Sequence, residues 1–329
     1  VLNNTRNLKR LGRALLLVGG LGVMVWLVRA AGVDKVLDVL RHAGGWVPVV
    51  IVLEALFVTP DVVGARILLG SGAKRASLAT WARATALAYA STVLLPTGRA
   101  AGEAARAATF AGDVGAARAA GASTRLQSAV LLANMAFSLV IAGILSLRVS
   151  GARWLAVALA TNALGCLVLG SALLAVLGSA RLAAWLRRRF PRFVEAHRDD
   201  SESAPRVTTV LGVASLSFLG RIAQTAQYAV VLHAVGGTMS LDGALTAQGV
   251  HLIAAAAGDL VPSQIGAAEG AYKVFAGVLG LGATPERALS IALVVRISQW
   301  CAAAACLVVA TLVRRKGLAK PPPADGRRV

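Results

Sequence analysis

Acidic side chains are scarce. In 329 residues, 15 Asp and Glu stand against 34 Lys and Arg, and the four charged types make up only 15% of the chain. A soluble domain carries about 25%. That shortfall, with 57% hydrophobic residues and a mean hydropathy of +0.70, excludes a soluble globule and leaves an integral membrane protein. A net charge of +19 would suit a nucleic-acid binder. Such a protein keeps its cations on a wet surface, however, whereas here they gather at the ends of apolar runs. Cysteine is almost missing. Cys166, Cys301 and Cys306 lie in apolar stretches without CxxC spacing, so neither disulfides nor zinc are indicated, and all three read as small buried hydrophobes. The four histidines (His42, His197, His233, His251) make no HExxH pattern, so no metal is expected. No GxxxxGK[ST] loop occurs, and Gly19-Gly20-Leu21-Gly22 and Gly70-Ser71-Gly72 lack a strand-to-helix setting. They read as helix packing and a turn, and no cofactor is expected.

What is present is a series of apolar runs. A membrane-crossing helix needs about 20 mostly apolar residues, and six stretches qualify: about 11–28, 46–68, 125–148, 153–178, 207–235 and 286–313. The first follows Arg6, Lys9, Arg10 and Arg13. It reads as a cleaved signal peptide or a signal anchor, and its direct continuation into further spans favours the anchor. Two other regions break differently. Residues 78–95 end at Leu95-Pro96-Thr97-Gly98 before a short Ala-rich helix, 99–112; residues 241–261 end at Val261-Pro262-Ser263-Gln264 before another, 267–281. Helix, break and half-helix is the form of a re-entrant membrane segment.

Short cytoplasmic loops hold the excess Lys and Arg. The N-terminus, 66–83, 179–206 and the tail from Arg314 are the cation-rich pieces, which predicts a cytoplasmic N- and C-terminus. The loops at 29–45, 149–152 and 236–242 then fall outside. Residues 78–112 must begin and end inside, and 241–281 must begin and end outside. The tail, with Pro321-Pro322-Pro323, is expected to lie unfolded against the anionic inner leaflet.

An internal repeat points the same way. Leu94 to Ala105 aligns without a gap on Leu260 to Ala271, since 262 − 96 and 269 − 103 both give 166. Each half, 1–148 and 149–316 with 317–329 as tail, contributes three spans and one hairpin. Three is odd, so the second copy is expected upside down. The predicted fold is therefore all-α and polytopic, an inverted repeat with one broken hairpin per half.

At these residues the chain resembles the lysylphosphatidylglycerol synthase transmembrane family of flippase-like proteins, over almost its whole length. The family's P-G-G-x-G-x-x-E pattern is met by Pro262, Gly266 and Glu269, with Ser263-Gln264 replacing the glycine pair. The Gln before x-Gly-x-x-Glu is similar to a hopanoid-associated subgroup. The stretch from Pro96, Thr97, Gly98 and Arg99 through Glu103 to Arg106 is similar to the family's first-half motif. Bifunctional relatives add a soluble aminoacyl-transferase domain after the membrane part. This chain ends shortly after Lys316, so it is expected not to make aminoacylated lipid.

Half-helix N-termini present unpaired N–H groups and a positive dipole end, suited to a phosphate or carboxylate. Arg99, Glu103 and Arg106 share one helix face, and Glu269 with Lys273 forms an i, i+4 pair in the favourable order. Charges at this depth cost several kcal/mol against lipid, so they either brace the hairpins or line a pathway. Gly98-x-x-x-Gly102 and Gly266-x-x-x-Gly270 read as close-packing positions. Arg296, mid-span, is the candidate partner for a headgroup phosphate. Arg221 has Asp259 as a possible partner. Glu54 and Asp61, seven apart, would bind a cation or proton, or pair with Arg66. His251 reads as a helix-packing residue.

Together these features lead to the expectation of lipid translocation across a bacterial cytoplasmic membrane. An anionic or isoprenoid headgroup would pass a site made by Pro96, Thr97, Gly98, Arg99, Glu103, Arg106, Pro262, Ser263, Gln264, Gly266, Glu269, Lys273 and Arg296. Glu103 and Glu269 are the carboxylates expected to exchange protons. The expected partners are membrane lipids and lipid-biosynthesis enzymes, with no nucleic acid. Two other readings stay open: an intramembrane enzyme acting on a polyprenyl or glycolipid phosphate, and a scaffold for lipid synthesis.

Overall fold

Hydrocarbon offers the backbone no hydrogen bonds, so an apolar run must satisfy its own N–H and C=O groups, and a helix does so within one segment. The structure is a computed structural model and describes residues 25–26, 28–29, 32–95, 97–179, 205–258, 261, 264–280 and 284–317. Among these, every regular element is helical and no strand occurs. The order is α1 (Val33–Ala43), α2 (Val47–Leu69), α3 (Leu78–Leu94), α4 (Gly98–Val114), α5 (Ala116–Arg148), α6 (Arg153–Gly178), α7 (Val207–Ala234), α8 (Leu241–Gly258), α9 (Ala267–Val274) and α10 (Pro285–Gly317).

Five stretches are long and apolar enough to cross a membrane: Val33–Lys74, Ala116–Arg148, Arg153–Leu177, Val207–Ala234 and Glu286–Val313. They answer five of the six expected spans; the span at 11–28 lies almost wholly outside the described residues. Their outer faces expose Leu139, Leu147, Val157, Leu164, Val168 and Leu211. Such a surface would be a defect in water and is ordinary in lipid.

Several boundaries differ from the sequence reading, each for a local reason. Residues 33–43 were expected in a loop but form α1, since Val33, Val36, Leu37 and Leu40 recur at helical spacing. α5 starts nine residues before the expected span, because only Gly115 (φ +90°) separates it from α4 and nothing after it breaks the helix. α9 stops at Val274 and passes into a 3-10 turn, Ala276–Val278, short of the expected 281. The backbone of 314–317, expected in an unfolded tail, continues α10. Cys301 is exposed rather than buried; Cys166 is buried and Cys306 half-buried.

Two helical hairpins organise the bundle. In one, α3 packs on α4; in the other, α8 packs on α9. Ser77 caps α3 by accepting the Thr80 N–H at 3.1 Å, a contact typically worth about 1 kcal/mol. Gly102 brings α4 against α3: a Cβ there would stand 2.0 Å from Thr92 Oγ1 and 2.7 Å from the Ala88 carbonyl. Gly270, expected to act alike, has nothing within 4 Å of a built Cβ. α2 keeps Pro60 inside its helix, and Gly220 of α7 seats against that proline and the Phe57 carbonyl.

The remaining packing places the hairpins inside the bundle. α3 lies on α10 and α4 on α5, while α8 lies on α5, α6 and α7, and α9 on α10. Polar groups bridge the helices where small side chains allow it: Ser128 Oγ donates to the Gly170 carbonyl at 2.6 Å, and Asn162 Nδ2 donates to Ser138 Oγ at 3.0 Å. Such bonds in a bilayer contribute about 0.6 kcal/mol each.

Candidate functional site

The tips of both hairpins open onto one cavity of about 400 Å³. Leu95 and Gly98 reach it from the first, Val261 and Gln264 from the second. Pro96, Asp259, Leu260, Pro262 and Ser263 lie outside the described residues. Their neighbours show what the tips require. Thr97 (φ +65°) precedes α4 and Gly98 (φ +32°) opens it, and Gln264 (φ +53°) and Gly266 (φ +84°) precede α9, so both breaks pass through the left-handed region. For Thr97 and Gln264 that conformation costs about 1–2 kcal/mol. Gly98 and Gln264, both left-handed, are also aligned by the 166-residue repeat.

α4 aims its charged face inward. Asp61 Oδ2 of α2 sits 2.8 Å from Arg99 Nη2, Arg99 Nη2 lies 3.9 Å from Glu103 Oε1, and Glu103 Oε2 lies 3.2 Å from Arg106 Nε. Acid and base thus alternate along the cavity wall, with Glu103 and Arg106 both buried. Arg99 is the partner Asp61 takes, in place of the Arg66 that spacing allowed. Burial leaves donors over: Arg99 Nε and Arg106 Nη1 have no hydrogen-bond partner among the described residues. Two guanidinium groups with buried, open N–H donors fit the planar, acceptor-rich face of a phosphate or carboxylate.

The second tip is clamped rather than open. Glu269 is fully buried, accepts the Gly266 N–H at 2.8 Å through Oε2, and takes Arg296 Nη1 on Oε1. Arg296 Nη2 also donates to the Gln264 carbonyl at 3.2 Å. The carboxylate therefore caps its own half-helix and ties the break to α10. Arg296 and Glu269 meet each other and do not line the cavity, and neither does Gly266. Lys273 is not paired with Glu269; its Nζ lies 4.9 Å from the centre of the Trp26 ring.

Of the sequence-selected residues, the structure brings Gly98, Arg99, Glu103, Arg106 and Gln264 together at the cavity. It adds Glu54 and Asp61 from α2 and Arg221 from α7. Arg221 donates from Nη1 to Gln224 Oε1 at 2.5 Å and stacks on Phe57, 4.8 Å from its centroid. His251 lines the cavity beside Tyr228, 5.5 Å between ring centroids. Sequence reasoning missed Tyr89, Gln127, Asn134, Gln224 and Gln299, all cavity-lining. A signal existed: Gln127 and Asn134 are seven apart on α5, hence on one face, and polar side chains inside a span face the bundle interior or a wet space.

This arrangement can hold an anion on guanidinium donors while apolar walls such as Val58, Leu131 and Leu169 admit hydrocarbon. Compared with known proteins, no curated protein and no solved structure matches the chain. A family model does, over residues 13–306: the lysylphosphatidylglycerol synthase TM region. With most of its length matched and a multi-pass apolar bundle around the hairpins, the chain belongs to the lysylphosphatidylglycerol synthase TM region family.

Proposed function

We propose that this protein moves a lipid headgroup, anionic or isoprenoid-linked, between the leaflets of a bacterial cytoplasmic membrane without changing it covalently. The headgroup passes the cavity while its tails stay in the bilayer. One observation carries the reading: an alternating chain of acids and bases, with buried guanidinium donors left over, lines a space at the tips of two broken hairpins inside an apolar bundle. Charges facing lipid cost about 3 kcal/mol each on insertion scales, so a path that lowers this cost for a passing headgroup is what such a space supplies.

Packing supports the inverted repeat on which alternating access would rest. Exchanging the halves sends α2, α3, α4 and α5 onto α7, α8, α9 and α10. The contacts α3–α10, α4–α5, α2–α5 and α2–α10 then become α8–α5, α9–α10, α7–α10 and α7–α5, and all of these are made. With three crossings per half, the copies face opposite sides, so each hairpin serves one leaflet. Cytoplasmic termini follow from the placement of Lys and Arg.

Purified protein in vesicles with a fluorescent tail-labelled lipid tests the reading. Wild type should equalise the label between leaflets, Glu103→Gln and Glu269→Gln should slow this about tenfold or more, and lipid recovered afterwards should keep its mass. Equal rates in protein-free vesicles would refute translocation, and a changed lipid mass would favour an enzyme.

A further inference from the structure

Glu54 is the cavity acid that the ion-pair chain leaves out. It is 2% exposed, lies seven residues before Asp61 on α2, and lines the cavity. Tyr89 Oη donates to its Oε1 at 3.0 Å, Gln299 Nε2 donates to the same oxygen at 3.4 Å, and Gln227 Nε2 donates to Oε2 at 2.8 Å. Among the described residues no Lys, Arg or His nitrogen comes within 4.0 Å of it.

The two partners on Oε1, Tyr89 and Gln299, are reversible. A phenol hydroxyl can accept as well as donate, and a turned amide presents its carbonyl. Gln227 is the fixed partner, because its Nε2 also donates to the Val50 carbonyl at 3.1 Å; it stays a donor to Oε2 while a proton on Oε1 is donated to Tyr89 or to a turned Gln299. Glu103 and Glu269 are held differently. Their partners are guanidinium groups and, for Glu269, the Gly266 N–H, which donate only. Protonation costs those two a partner and costs Glu54 none.

Charge points to the same residue. Asp61, Arg99, Glu103 and Arg106 cancel along their chain, which leaves Glu54 and Arg221 in the cavity wall. Arg221 is buried, and no described carboxylate lies within 4.0 Å of it. Phe57, on which it stacks, is three residues from Glu54 on the same face of α2. A proton on Glu54 leaves the Arg221 charge to be answered by an anion in the cavity; losing the proton restores the balance and releases the anion. The other titratable groups facing this region are Tyr228 on α7, Tyr89 on α3, Cys306 on α10 near Tyr89, Arg99 on α4, Cys166 on α6 and His251 on α8. From α5 the cavity receives the neutral Gln127 and Asn134.

We infer that Glu54 is a proton-binding site loaded together with an anionic headgroup neutralised by Arg221, so that one proton crosses with each headgroup. The coupling rests on the translocation reading, while the proton site itself does not. Two measurements on the full chain in phosphatidylcholine vesicles separate them. In pH-difference infrared spectra, a protonated-carboxyl C=O band should appear that Glu54→Gln removes and Glu54→Asp shifts. A band that survives Glu54→Gln, or no band in wild type, overturns the site.

The second measurement follows a tail-labelled fluorescent phosphatidylglycerol with the membrane potential clamped to zero. A gradient of about one pH unit should concentrate the probe about tenfold in the leaflet facing the alkaline side, because each unit is a tenfold proton ratio. Glu54→Gln should equalise the leaflets. Wild type that moves the probe yet leaves it evenly distributed overturns the coupling and leaves translocation standing. If wild type moves no probe, the translocation reading fails and the infrared band alone decides the proton site.

Discussion

Replacing Arg296 by Met is the sharpest perturbation of the second hairpin. The wild-type guanidinium holds Glu269 and the Gln264 carbonyl together, and the methionine roughly keeps the volume of its stem. The charge-assisted bond to Glu269 contributes about 1.5–3 kcal/mol and the bond to the carbonyl about 1.5. What remains is a fully buried carboxylate with the Gly266 N–H as its described donor. Breaking a buried pair from one side costs about 3–5 kcal/mol, most of it the stranded charge. Glu269→Gln alone keeps an acceptor for Gly266 and should cost less, about 1–3 kcal/mol. The double variant has no stranded carboxylate, so its loss should fall short of the sum of the singles by about 2 kcal/mol or more. Unfolding free energies from steric trapping in bicelles give all three numbers. Additive losses would show that the two groups do not depend on each other, and would refute the clamp.

Close approach at Gly102 makes Gly102→Ala destabilising by about 1–3 kcal/mol through overpacking against Thr92 and Ala88, whereas Gly270→Ala, with open space, should be neutral or stabilising by up to about 1 kcal/mol; the same unfolding measurement compares them. Gly220→Leu would drive a side chain into Pro60 and the Phe57 carbonyl and should separate α7 from α2, read as lost protease resistance. Arg106→Gln, which removes a donor group open to the cavity, should slow flipping of an anionic probe about tenfold, equivalent to about 1.4 kcal/mol, and slow a zwitterionic probe less.

Much of the fold was legible because crossing a bilayer imposes a length and a composition. α2, α6, α7 and α10 fall within a few residues of their expected spans, and the half-helices α4 and α9 begin within a residue of their expected starts. α1 escaped because it is short and carries Asp34, Lys35, Asp38 and Arg41, although its apolar residues keep helical spacing. The site was legible where charge stood against an apolar background: Arg99, Glu103 and Arg106 share a face, as spacing required. What spacing does not give is the partner across the bundle. Asp61 turns to Arg99 of another helix rather than to Arg66 of its own, and Lys273 to Trp26 rather than Glu269, because tertiary packing brings distant segments closer than a helix turn does. Neutral Gln and Asn in spans carry no charge penalty to flag them, so half of the cavity's polar wall went unread.

A structure of the protein in lipid nanodiscs tests the central claim most directly. The account predicts headgroup density inside the bundle, its acceptor oxygens within hydrogen-bond reach of Arg106 and Arg221. Ordered headgroups confined to the two membrane surfaces, with the space between the hairpin tips filled by protein side chains, would contradict it.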